Sequence, residues 1–136
     1  MIEILKVGNA IYENFEEKVH IPTVFNENGE PIIFELVPNP VIPQTENELR
    51  QAIKDTALWL ASRKINQFLT QHGYYSLGDL MFYAQQNIQE AVDLLNRYRN
   101  FDQAVWDFID SLSMKTYDEL LETAKTLRTF IDSIEL

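Results

Sequence analysis

All five prolines of this chain, Pro22, Pro31, Pro38, Pro40 and Pro43, fall within its first 43 residues, and the 93 residues that follow contain none. Proline lacks an amide hydrogen and clashes with the preceding helical turn, so a proline-dense stretch is confined to extended or turn structure. The long proline-free remainder is free to form helices. This asymmetry divides the chain near Gln44 into a segment 1–43, read as a β-hairpin arm with a Pro-rich connector, and a helical domain 44–136.

Within the first segment, Ile2 to Val7 and Lys18 to Phe25 read as strands. Asn26-Glu27-Asn28-Gly29-Glu30-Pro31 then supplies an Asn-Gly turn signal ahead of the apolar run Ile32 to Val37, which predicts a β-hairpin. Pro22 and Pro31 restrict it to edge strands or strand ends. Val37 to Pro43 reads as an extended, polyproline-like connector that holds the hairpin away from the helices or lies along them.

After Gln44 the apolar period changes from two to about 3.6. Leu49, Ile53, Ala57, Leu60, Ala61, Ile65 and Phe68 predict a first helix over 47–71, capped by Thr45 or Asn47 and ended at Gly73. Ser76-Leu77-Gly78-Asp79 resembles a capping box and opens a short helix with Leu80, Met81 and Ala84. Asn87-Ile88-Gln89-Glu90 reads as a second box, leading into a stripe from Ala91 through Leu112. Thr116-Tyr117-Asp118-Glu119 opens one final helix carrying Leu120, Ala124, Leu127, Ile131 and Ile134. The predicted fold is mainly α: an antiparallel three- to four-helix domain, the short helix forming a corner, with an N-terminal β-hairpin arm.

Composition removes several function classes. The chain has no cysteine, which excludes thiolate nucleophiles, zinc–thiolate sites, iron–sulfur clusters and disulfides. Eleven basic against 21 acidic side chains give a net charge of −10 and a sequence pI near 4.5, which argues against a nucleic-acid partner because phosphate binding needs a concentrated basic surface. No apolar run approaches the ~20 residues that span a bilayer, and the start, Met1 to Lys6, does not read as a signal peptide, so no membrane partner is expected. At this length a compact chain buries roughly two-thirds of its unfolded surface, enough for a core without a structural metal.

Catalytic signatures are missing. The serine elbow, the P-loop, the dinucleotide-binding glycine motif and the EF-hand loop are all absent. The two histidines, His20 in a strand and His72 at a helix end, lack metal-ligand spacing. Asp107 with Asp110, preceded by Asp102, and Glu119 with Glu122 suggest a carboxylate–metal site, yet these positions alternate with the apolar stripe and read as a solvated face. Glu13, Glu16 and Glu17 read as a charged loop or helix face, and Trp59 and Trp106 as core aromatics. No catalytic residue, metal site or cofactor is assigned. The unusual feature is the apolar hairpin and connector, with Ile21, Val24, Phe25, Ile32, Ile33, Phe34, Leu36, Val37, Val41 and Ile42. A hairpin alone is marginal, so this surface calls for cover by the helices, by another copy or by another protein.

The helical part resembles a domain of bacteriophage tail proteins that occurs beside tail-fibre and tail-fibre-assembly modules. The residues that carry the resemblance are Arg50-x-x-Ile53, the Arg63 to Ile65 region, Gly73-Tyr74-Tyr75-Ser76-Leu77-x-Asp79, Tyr83-Ala84, Ala91, and Tyr98-Arg99-x-x-Asp102-x-Ala104-Val105-Trp106, over about residues 50–108. Ser111 to Thr116 stands where that family often has a proline-marked segment. The resemblance implies a structural or assembly role and no transferable catalytic residue. The expectation is a non-enzymatic tail component, a fibre adaptor, baseplate-peripheral protein or assembly chaperone, found in the virion or in host cytoplasm during assembly. It would dock on other phage tail proteins, or on copies of itself, through Ile21, Val24, Phe25, Ile33, Phe34, Val37 and Val41, with Trp59, Tyr74 and Tyr75 as secondary anchors. The rival reading is an acidic inhibitor occupying the basic channel of a host nucleic-acid enzyme.

Overall fold

The computed structural model describes residues 1–136, in the order β1 (Ile2–Val7), β2 (Ala10–Phe15), β3 (Lys18–Phe25), β4 (Pro31–Pro38), α1 (Glu46–Gln71), α2 (Leu77–Gln85), α3 (Gln89–Ser111), a 3-10 turn (Leu112–Met114), α4 (Tyr117–Lys125) and α5 (Leu127–Ser133). The class is mainly α with N-terminal antiparallel strand pairs, as the period change predicts.

The helix ends show why these segments form where they do. The Thr45 hydroxyl accepts from the Glu48 amide at the start of α1, and Gly73 leaves its end with φ +82°. Ser76 caps α2 by accepting from the Asp79 amide, while the Asp79 carboxylate accepts from the Tyr75 amide, one residue further back than in a standard box. A full reciprocal box between Thr116 and Glu119 starts α4. Two expectations change here. Asn87 does not start α3: it is left-handed (φ 59°) and its amide donates to the Ala84 carbonyl, so it ends α2, and Ile88 begins α3 without a side-chain cap. The final helix is two helices, broken at Thr126.

α1 is the hub, about 39 Å long at 1.5 Å per residue. Its N-terminal half packs with the second half of α3, with α4 and α5, through Leu49, Ile53, Ala57, Phe101, Val105, Ile109, Leu120, Leu127 and Ile131. Its C-terminal end meets α2 and the start of α3 in a smaller cluster of Phe68, Leu69, Leu80, Ala91, Leu94 and Leu95, so α1 and α3 run antiparallel. Arg50 ties the α3–α4 connection to α1 by donating to the carbonyls of Leu112 (2.9 Å) and Lys115 (3.0 Å).

The N-terminal segment holds two hairpins where one was expected. β1 pairs with β2 across a two-residue turn in which Gly8 takes φ +60° at the first position, as the II′ family requires. The region of Glu13, read from sequence as a charged loop or helix face, is therefore strand. Ile2, Ile4 and Leu5 of β1 are fully buried in the same cluster as α1, so residues 1–17 belong to the helical body. The strand is fixed by Thr56, the one buried polar residue, whose hydroxyl accepts from the Lys6 amide (2.7 Å) and donates to the Ala52 carbonyl (2.6 Å).

The connector is a turn instead of a polyproline rod. The Ile42 amide donates to the Asn39 carbonyl (3.0 Å), Ile42 is buried in the main cluster, and the Tyr117 hydroxyl donates to the Pro43 carbonyl (2.7 Å). The arm proper is thus β3–β4, residues 18–38, shorter than the 1–43 segment marked out by proline.

Two predictions test this body. Thr56→Val strands the Lys6 amide without an acceptor and should lower unfolding free energy by about 1–3 kcal/mol in urea denaturation; a change below about 0.5 kcal/mol would show that β1 is not locked to α1. The Glu119 carboxyl is held below its usual value of 4.5 by hydrogen bonds from the Thr116 backbone and side chain. Because the folded value is the lower one, this contribution is present above the unfolded value and fades as pH falls through the folded one. Replacement Glu119→Gln should therefore cost stability at neutral pH and progressively less in acid, which parallel thermal melts across pH would record.

Candidate protein-interaction site

In an antiparallel pair, residues opposite one another share a face, and neighbours along a strand alternate. The register of the arm places His20 opposite Leu36 and Pro22 opposite Phe34 on one face, and Val19 opposite Val37 and Ile21 opposite Glu35 on the other. Irregularities around Thr23 then bring Val24 opposite Ile33. One face carries Pro22, Ile32, Phe34 and Leu36, the other Val19, Ile21, Val24, Ile33 and Val37. Both are mainly apolar, interrupted by His20 on the first and Glu35 on the second, and only Val19 and Val37, next to the neck, are half-buried.

Every residue from His20 to Leu36 is exposed, and no residue of the arm belongs to either core cluster or packs against one. Phe34 is 53% and Ile32 57% exposed, in a chain whose buried core elsewhere is well formed. Clustered apolar exposure of this kind, unlike scattered single residues, marks an interaction surface.

The arm leaves the body through a defined neck. The Asn39 amide donates to the Glu17 carbonyl (2.8 Å), and the Asn39 side chain donates to the Glu16 carbonyl (2.9 Å). Lys125 of α4 pairs with Glu17 at 3.0 Å and with Glu122 at 2.7 Å, and those partners hold its ammonium above the usual lysine range. At the far end the Asn26 side-chain oxygen accepts from the amides of Asn28 and Glu30 (both 2.9 Å), and Gly29 takes φ +79°. The ribbon is therefore ordered at its base and its tip while its flanks are bare.

The structure gathers Ile21, Val24, Phe25, Ile33 and Phe34 on the arm, with Val37 half-buried near the neck. The other expected site residues lie elsewhere. Val41 and Trp59 pack against the main core, and the Arg63 guanidinium lies 4.6 Å from the Trp59 ring. Tyr74 stacks edge-on against Tyr83 (5.9 Å), and partial burial, then Glu90 and Asp79, raise its hydroxyl above the usual tyrosine range. Tyr75 is 99% exposed at the α1–α2 corner. Trp106, expected in the core, lies on the outer side of α3 with Lys54 above its ring.

The docking residues named from sequence leave out two sets of exposed apolar side chains, the first of which the sequence already places in the apolar hairpin. Ile32 and Leu36 are as bare as the rest of the arm. Met81, Phe82, Tyr83 and Ile88 form a second exposed apolar region around α2. The signal was present: nine-residue α2 carries Leu77, Leu80, Met81, Phe82 and Tyr83, more than one face of a short helix can bury.

Among the carboxylates, Asp107 accepts from Gln103 (2.9 Å), and Asp107 and Asp110 are exposed. No group of three or more potential metal-ligating side chains is brought together. His72 ends α1, its ring edge-on to Phe68 at 5.0 Å, while His20 is exposed on the arm. The depression lined by Glu13, Arg63, Lys64, Arg128 and Asp132, about 550 Å³, has much of its charge already engaged: Arg128 pairs with Glu13 at 3.0 Å, and the Lys64 ammonium donates to the carbonyls of Ile131, Asp132 and Ile134. No helix is long and apolar enough to cross a membrane.

Because the arm side chains are already solvated, Phe34→Ser and Ile33→Thr should leave the body's unfolding midpoint unchanged, within about 0.5 kcal/mol. A loss of several kcal/mol in either variant, measured by denaturant unfolding, would show that the arm is covered by its own chain.

Comparison with protein-family models, with curated proteins and with solved structures finds no match to this chain.

Proposed function

We propose that this chain is a non-enzymatic bacteriophage tail component, a fibre adaptor, baseplate-peripheral protein or assembly chaperone, that works by docking its β3–β4 arm into another tail protein. One observation carries the docking: a ribbon anchored at its neck, apolar on both faces, with every side chain from His20 to Leu36 in solvent. Folding such a surface without covering it forfeits the hydrophobic gain, about 25 cal/mol for each Å² of apolar area left in water, which a partner recovers on binding. The phage assignment is supported by the likeness of residues 50–108 to tail-associated helical domains. Virion or host cytoplasm during assembly is the location this reading proposes.

In the bound state the arm's aliphatic and aromatic side chains enter alternating pockets while main-chain groups pair with the partner. The helical body sets the arm's direction through the Glu17, Asn39 and Lys125 contacts. The test follows from the neck. Since Glu17 and Asn39 are hydrogen-bonded neighbours, Lys18 to Pro38 can be replaced by a Gly-Gly linker without disturbing β1, β2 or the helices. The excised protein should keep its helical circular dichroism and melting midpoint, yet fail to restore infectivity to a phage lacking this chain. Full complementation by the excised protein would end the proposal.

A further inference from the structure

We infer that the arm receives its partner along the free edge of β4, not of β3, and that the partner contributes an extended segment with apolar residues on one side and a basic residue on the other. This rests on the docking reading above.

The hydrogen bond from the Asn39 amide to the Glu17 carbonyl fixes which backbone groups face which way. It makes Glu17 and Asn39 a hydrogen-bonded pair in a register that continues through Val19 with Val37 and Ile21 with Glu35. Antiparallel pairs alternate, so the intervening residues direct their amides and carbonyls outward. On β4 these are Phe34 and Leu36, in a run from Ile33 to Val37 free of proline and of register breaks, with Pro38, which has no amide hydrogen, only at the neck end. On β3 they are Lys18, His20 and Pro22, and Pro22, in mid-strand, has no amide hydrogen to give. The register breaks beside Val24 leave Thr23 as an extra residue on β3, next to Pro22, and Ile32 as an extra residue on β4, towards the tip. Proline and bulges are the devices that close a sheet edge to a new strand, and β3 carries both. β4 carries them only towards its ends, at Ile32 and Pro38, and leaves Ile33 to Val37 clear.

Charge then selects the occupant. Glu35 is the one charged residue between Pro31 and Pro38, it sits across from Ile21, and it belongs to no ion pair. The arm holds one lysine against Glu27, Glu30 and Glu35, and the chain as a whole carries −10. A second copy brings the same negative arm to the contact, whereas a basic partner strand sets a cation beside Glu35 and apolar side chains beside Phe34 and Leu36.

The test uses the full chain with two synthetic, blocked strand-forming peptides, one alternating valine with lysine and one alternating valine with glutamate. Titration followed by amide chemical shifts should show the lysine peptide binding, with the largest changes at Phe34 and Leu36 and small ones at His20. Substitution Glu35→Lys should reverse the peptide preference, weakening the lysine peptide about fivefold and strengthening the glutamate peptide. The body should be untouched, since Glu35 is exposed. No binding at millimolar peptide, shifts centred on β3, a preference indifferent to residue 35, or a chain that dimerises through its arm would each overturn the inference, the last by naming a second copy as the occupant. These failures stay separate from failure of the docking reading, which falls only if the arm-excised chain complements.

Discussion

A two-stranded ribbon has no interior, so each of its faces must be covered by something else or left in water. The two ribbons of this chain meet that constraint in opposite ways. β1 lays Ile2, Ile4 and Leu5 into the cluster formed by α1, α4 and α5, and Thr56 supplies the acceptor that lets the Lys6 amide be buried without loss. β3 and β4 have apolar side chains on both faces and meet no such helical surface. The arrangement of the helices around α1 depends on the first solution, and the reading of the chain as a docking protein depends on the second.

The neck separates the two regimes. Ile42 and the Tyr117 contact to Pro43 hold the chain to the body immediately after the arm, and Glu17 is held by Lys125 immediately before it. An anchored base reduces the orientational freedom that a partner must freeze on binding, which favours affinity without adding contacts. It also explains how exposed apolar residues coexist with a well-packed core: nothing in the body has to change when the arm is covered.

Much of the helical fold was legible, and where it was not the reasons are local. Thr45, Ser76 and Thr116 cap as their spacing suggests, because a hydroxyl followed by an acidic residue three positions later has few other uses at the start of an apolar run. Asn87 misled because asparagine serves both ends of a helix, and with a connection this short its left-handed geometry ends α2. The break at Thr126 was invisible, since Leu120, Ala124, Leu127 and Ile131 keep the spacing of one continuous helix. β2 was missed because Ala10 to Phe15 does not alternate between apolar and polar residues, with only Gly8 to mark the turn before it. The arm's apolar residues stand out in the sequence, but together with Val41 and Ile42, which belong to the body; that the helices leave the others bare is a tertiary fact that no local pattern carries. Trp59 and Val41 were drawn into the site for the same reason, since an apolar side chain reads alike whether its cover is the body or a partner.

The central claim is that the arm is energetically independent of the body, held at its neck and bare on both flanks. Amide hydrogen exchange of the free, full-length chain measures this directly, because local opening and global unfolding give distinct free energies. If the arm is independent, Lys6 and its β1 neighbours exchange only through global unfolding, whereas Ile21, Glu35 and Val37, whose amides point between the arm strands, exchange through a local opening of far lower free energy. Arm amides as protected as those of β1, at a concentration where the chain is monomeric, would show that the body covers the hairpin and would contradict the claim.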